Sequence, residues 1–280
     1  MIKETAILFL KGGIIGIANI IPGVSGGTLA VMLGIYDRFI EAIAKFFEEP
    51  SKRWGYTLFL IKIMAGAGVA LVLLARVMVF LLTSHFYATM FLFIGLILGG
   101  VPAVIRSHGD MRIRTTRILA FVLGMIVVFG IGLVGKEHAA AALYSVEATI
   151  IPDASAYPML LAAGFFAGGA MVVPGISGSF ILVLLGQYAV IIAALKDLAL
   201  KPLGVVAAGA AIGILLFSKI IDYCLRKIPS LTYYFILGLI LASICKIFPG
   251  LPTENSKIFL CTGTFTGGIA ISYLLAKIST

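Results

Sequence analysis

Apolar residues run together along this chain in stretches long enough to cross a bilayer. They occupy residues 56–83, 86–105, 117–135, 202–223, 231–248 and 258–276. A hydrocarbon core about 30 Å thick takes roughly 20 helical residues to cross, so the pattern predicts six transmembrane helices. Two further apolar stretches, residues 5–43 and 156–195, are broken in the middle by Pro22-Gly23 and Pro174-Gly175. Each reads as two crossings or as one re-entrant hairpin. Proline and glycine free backbone groups that lipid cannot satisfy, so the breaks belong inside protein or beside a polar cavity.

The same pattern occurs twice. IIPGVSGGTLAVMLGIY, ending at Tyr36, matches VVPGISGSFILVLLGQY, ending at Tyr188, in a register that carries Pro22 onto Pro174, Ser25 onto Ser177 and Gly34 onto Gly186. Gly12 and Gly16 meet Gly164 and Gly168 in that register. Further on, Gly66 meets Gly209, Arg76 meets Lys219, and FIGLILGGV faces ILGLILASI. The extra residues of the first half fall in a charged linker near Glu48 to Tyr56. The chain therefore divides into residues 1–143 and 144–280, each a broken hairpin followed by three transmembrane helices. An odd number of crossings per half inverts the second relative to the first, the plan of secondary transporters whose broken helices meet at the midplane. The predicted fold is all-α, one polytopic membrane domain of two inverted repeats.

Composition agrees with a bilayer environment: 61% of the 280 residues are hydrophobic and 12% charged, and mean hydropathy is +1.15. The net charge of +9 is clustered between apolar runs, so it reports topology rather than nucleic-acid binding. Lys45, Lys52, Arg53, Arg106, Arg112, Arg114, Arg117, Arg226, Lys227 and Lys277 fall on one side by alternation, and the positive-inside rule makes that side, with both termini, cytoplasmic. Lys196 and Lys201 are the exceptions. The N-terminus lacks a basic leader region and cleavage site and is expected to be kept as structure. Cys224, Cys245 and Cys261 show no metal or redox spacing.

Each break leads through a small-residue tip, Gly23-Val24-Ser25-Gly26-Gly27-Thr28 or Gly175-Ile176-Ser177-Gly178-Ser179, into an apolar helix. Open amides, close-approach glycines and N-cap hydroxyls suit an anion, phosphate best. The candidate phosphate-binding residues are Asn19, Pro22, Gly23, Ser25, Gly26, Gly27, Thr28, Pro174, Gly175, Ser177, Gly178 and Ser179, with Arg76 and Lys219 as paired cations. Helix packing competes for the glycines, since Gly23 with Gly27 and Gly95 with Gly99 have small-xxx-small spacing. Lys219 has a competing role in snorkelling or in pairing with Asp222, and Lys11 stays unassigned. Enzyme chemistry has little support: His85, His108 and His138 lack metal spacing, and neither Ser25 nor Ser177 has an adjacent base. No cofactor or metal is implied. If an ion drives transport, a proton or sodium, Asp222 and Asp37 are the candidate carriers. Exposed glycine faces leave internal packing and oligomerisation equally open.

The stretch NIIPGVSGGTLAVMLGIYDRFIEAI, its echo VVPGISGSFILVLLGQY and the GLILGG and GLILAS segments resemble the bacterial and archaeal polyprenyl-phosphate transporters across essentially the whole chain. The resemblance implies a cell-membrane flippase that returns undecaprenyl phosphate, the lipid carrier of peptidoglycan and other envelope polymers, from the outer to the cytoplasmic leaflet. It implies a headgroup site at residues 22–28 and 174–179 with Arg76 and Lys219. That family often has aspartate where this chain has Asn19. A more distant resemblance is to undecaprenyl-diphosphate phosphatases, but Gly26 and Gly178 stand where their arginine would. The alternatives are such a phosphatase-like enzyme and a carrier of a small water-soluble anion.

Overall fold

The computed structural model describes residues 2–18, 25–107, 110–144 and 154–279, and among these the regular elements are helical. The first half holds α1 (Ile2–Ala18), α2 (Gly26–Met32), α3 (Tyr36–Ala44), α4 (Arg53–Ser84), α5 (Phe86–Ser107) and α6 (Thr115–Tyr144). The second holds α7 (Tyr157–Val172), α8 (Gly178–Leu184), α9 (Tyr188–Lys196), α10 (Leu200–Lys227), α11 (Pro229–Ile247) and α12 (Asn255–Ser279). The protein is an all-α, multi-pass membrane protein.

By length and composition, four of the six expected crossings qualify as spans, on α4, α6, α10 and α12, with a fifth if the bent pair α8 and α9 is one span. The other two expected crossings lie on α5 and α11, whose described apolar stretches are Phe86–Pro102 and Pro229–Cys245. Phe93, Ile94 and Ile97 of α5 and Ile236, Leu239 and Ile240 of α11 are all buried, whereas at most 22% of each long span is. The long helices turn most of their surface outward, and the central pair is screened by its neighbours.

Glycines set the helix crossings. A Cβ on Gly12, Gly16 or Gly66 would stand 2.1, 2.5 or 2.0 Å from the carbonyl oxygen of Ile63, Ala67 or Phe9, so α1 and α4 touch backbone to backbone. Gly164, Gly168 and Gly209 meet Val206, Ala210 and Leu161 in the same way between α7 and α10. Every member of the second set is the register counterpart of one in the first. The central helices exchange partners between halves: Gly95 and Gly268 join α5 to α12, and Gly238 and Gly124 join α11 to α6. Close approach of this kind substitutes dispersion for a hydrophobic drive that lipid does not provide.

The broken elements also repeat in detail. Ser25 and Ser177 cap α2 and α8 in extended conformation (φ −102° and −99°), and Gly34 and Gly186 turn the chain at φ +67° in both. With seven residues each, α2 and α8 are about 10 Å long and cannot cross a bilayer. The first hairpin returns to the end from which α1 starts. Lys11 of α1 donates to the Leu33 carbonyl at 2.7 Å, and Arg38 of α3 pairs with Glu4 at 3.2 Å.

Cation-rich segments gather at that same end. Arg226 bridges Asp222 and Glu41, each at 2.9 Å, and Lys219 reaches Glu48 at 2.7 Å. Ser230 donates to the Asp110 carbonyl and Tyr234 to that of Met111. Here the two halves part company. α3 packs across α10, but among the described residues α9 has no comparable packing on α4. The sequences account for it: α3 reads YDRFIEAIA and offers Asp37 and Glu41 to Tyr233 and Arg226, while α9 reads YAVIIAALK and has only alanine at those two positions.

Candidate functional site

The two tips touch. The Gly175 amide donates to Thr28 Oγ1 at 2.8 Å, and the Tyr36 hydroxyl donates to the Val172 carbonyl at 2.9 Å. Gly27 lies in van der Waals range of Pro174 and Met171, at 3.4 Å from a virtual Cβ. Gly175 adopts φ +82° and lies against Leu239, where a Cβ would come 2.6 Å from the carbonyl oxygen. Left-handed conformation and lack of space both demand glycine here. Leu239 is midway along α11 and fully buried, so the tips meet at mid-depth in the molecule. Gly178 fits equally closely over Ala167 and Met171.

The polar groups at this junction differ in use. Thr28 is committed to the tip–tip bond. Ser25 is 4% exposed and its Oγ has no partner among the described residues. Ser177 and Ser179 bond each other at 2.9 Å on the open side. The first intrahelical bonds run from Leu29 to Ser25 and from Ile181 to Ser177, so the amides of Gly26, Gly27, Gly178 and Ser179 precede the helical ladder. Seven residues sum few peptide dipoles. The groups the junction leaves open are therefore individual amides and hydroxyls rather than the end of a long helix dipole.

Of the expected site residues, Ser25, Gly26, Gly27, Thr28, Pro174, Gly175, Ser177, Gly178 and Ser179 lie on the two tips. Asn19, Pro22 and Gly23 fall outside the described residues. Arg76 lies on an exposed stretch of α4 and makes no ion pair with a described residue. Lys219 pairs with Glu48 and not with Asp222, because Asp222 is held by Arg226 one helical turn away. Asp37 accepts from the Tyr233 hydroxyl. Asp37, Asp222 and Lys219 thus belong to the cation-rich end of the molecule. Among the described residues no group of three His, Cys, Asp or Glu side chains could hold a metal.

Lys11 carries more structure than its sequence context suggested. It is 1% exposed, and its ammonium caps the end of α2 through Leu33. A cation inside an apolar run signals a buried partner, but this partner is a backbone carbonyl freed by the Gly34 turn, which no residue pattern names. The Thr28–Gly175 bond was hidden for the same reason.

Fold and junction together define a helical membrane protein whose small-residue, polar centre is built where two broken helices meet. The chain belongs to the undecaprenyl phosphate translocase-like family, whose model matches residues 15–259. A polyprenyl-phosphate transporter of Vibrio cholerae serotype O1 (strain ATCC 39315 / El Tor Inaba N16961) is 34% identical over 261 residues, covering 89% of this chain and 80% of its own. A polyprenyl-phosphate transporter of Staphylococcus aureus (strain NCTC 8325 / PS 47) is 34% identical over 279 residues, covering 96% and 95%. Both are named as transporters and not as enzymes. No solved structure gives a match.

Proposed function

We propose that this protein carries undecaprenyl phosphate, or a close polyprenyl phosphate, from the outer to the cytoplasmic leaflet of the cell membrane, with the phosphate held between the two tips. The observation that carries the reading is the mid-depth junction of Gly27 and Thr28 with Pro174 and Gly175, beside the Ser25 hydroxyl, which has no partner among the described residues. The names of the two relatives supply the substrate class. The tail stays in apolar surroundings while the head passes through the polar centre, which avoids the several kcal/mol cost of placing a bare charge in hydrocarbon.

Inversion of the halves supplies the motion. In this reading the hairpins are re-entrant, both termini are cytoplasmic, and the cation-rich end faces the cytoplasm. The contact of α3 with α10 closes that end, and among the described residues α9 makes no comparable contact with α4 at the other. Exchanging these packings would open the site to each leaflet in turn. In cells lacking the protein, undecaprenyl phosphate should accumulate on the outer leaflet, and the wild-type gene should clear it. Restoration to wild-type levels by a Ser25→Ala, Ser177→Ala double variant would remove the tips from the mechanism.

A further inference from the structure

A cavity of about 290 Å³ lies between α5, the loop after α11 and the start of α12, lined by Phe91, Leu251, Pro252, Cys261, Thr262 and Phe265 among others. It opens at the end of the molecule opposite the cation-rich cluster. Its walls are almost entirely apolar, and its size falls at the bottom of the roughly 300–1,000 Å³ range of small-molecule sites.

The internal duplication shows what fills this place in the other half. The register that carries Gly95 onto Gly238 carries Phe91 onto Tyr234, and the one that carries Gly124 onto Gly268 carries Arg117 onto Cys261 and Phe121 onto Phe265. At the cation-rich end this position is occupied by the protein's own loop after α5, whose Met111 packs into the core. Two side chains hold that loop in. Arg117 makes a bidentate pair with Asp110, at 3.2 and 2.5 Å, and a 2.7 Å bond to the Arg112 carbonyl, while Tyr234 donates to the Met111 carbonyl. At the opposite end phenylalanine replaces Tyr234 and cysteine replaces Arg117, so neither bond can form. Leu251 of the corresponding loop stands 78% exposed, and the cavity is left unfilled.

We propose that this cavity seats a segment of the isoprenoid chain of the transported lipid at the outer end of the molecule; the proposal rests on the transport reading above. The counterpart site takes the apolar Met111 side chain from within the fold, so the geometry admits an apolar chain. The polyprenyl chain in the names of both relatives matches this apolar lining. The cavity has room for part of a tail and not for a whole lipid.

Cys261 supplies a reporter, being 3% exposed and in the cavity wall. With Cys224 and Cys245 changed to serine in the full-length protein in lipid nanodiscs, the rate of maleimide labelling at Cys261 is measured. Undecaprenyl phosphate and undecaprenol should each slow it about tenfold at ten times their half-saturating level, and phosphatidylglycerol at the same mole fraction should not. A Leu251→Cys, Cys261→Ser protein gives the same reading from the exposed lip if Cys261 itself labels too slowly. Unchanged rates with both isoprenoids overturn the proposal, as does equal protection by phosphatidylglycerol. If transport by the same protein in proteoliposomes persists in that case, the tail site alone falls; if transport is also absent, the functional reading falls with it.

Discussion

Ser25 keeps a buried hydroxyl with nothing described to bond, an arrangement that ordinarily costs about 1–3 kcal/mol. Ser25→Ala should therefore leave thermal stability in detergent unchanged within about 0.5 kcal/mol, or raise it, while transport falls. Loss of stability with transport intact would make it a structural residue. Thr28 is predicted to behave in the opposite way. Thr28→Val leaves the Gly175 amide unpaired in a buried place and should destabilise by roughly 1–3 kcal/mol, with Thr28→Ser restoring the bond. Two glycines of similar backbone separate conformation from space. Gly186→Ala meets nothing within 4 Å and costs only the left-handed strain of about 1–2 kcal/mol. Gly175→Ala adds a clash with Leu239 and should fail to assemble, as size-exclusion chromatography will report. The tips themselves were legible from the repeated Pro-Gly, but their bonding was not. Threonine gives no sequence sign that its acceptor serves an amide 147 positions away.

Helix positions were legible from apolar length, on α5 and α11 as well as on α4, α6, α10 and α12. Which of them are central was not, because the burial of Phe93, Ile97 and Leu239 comes from packing that a hydropathy pattern does not encode. The matched glycine crossings give a paired prediction. Gly12→Ala and Gly164→Ala should destabilise to a similar extent, by about 1–3 kcal/mol or more, because each pushes a Cβ into a backbone carbonyl at 2.1 and 2.2 Å. Gly55→Ala and Gly204→Ala, with open space around them, should be neutral or gain up to about 1 kcal/mol. Unequal losses in the first pair would break the equivalence of the halves. The loop after α5 is pH-sensitive in a defined direction. Its hydrogen bonds from Arg117 hold Asp110 down at about 2, below the unfolded value of roughly 3.9. The contact therefore stabilises the loop above the unfolded value and is lost as pH falls through the folded one. Hydrogen exchange of residues 110–114 should stay protected at pH 4, and Asp110→Asn should remove that protection at neutral pH.

For the whole molecule, duplication was readable from the register of the repeats, and asymmetry was not. The ion pairs of Arg226 and Lys219 with Glu41 and Glu48 join halves that are distant in sequence. Lys219, read as a phosphate cation with snorkelling or an Asp222 pair as competing roles, pairs with a linker glutamate because the fold brings the linker over α10. Half-exposed pairs of this kind are each worth about 0–1 kcal/mol, so in the proposed cycle they bias a closed end without locking it. A cleavable maleimide cross-linker between Glu41→Cys and Arg226→Cys, in a protein without its native cysteines, should stop transport, and cleavage should restore it. Normal transport by the cross-linked protein would contradict a moving α3–α10 contact. The central claim is tested most directly by reconstituting the purified protein in liposomes and following short-chain fluorescent polyprenyl phosphate from one leaflet to the other. The account predicts transfer that depends on the protein and drops by an order of magnitude or more, about 1.4 kcal/mol or above in the barrier, in the Ser25→Ala, Ser177→Ala double variant. Transfer no faster than in empty liposomes, or a double variant as fast as wild type, would contradict it.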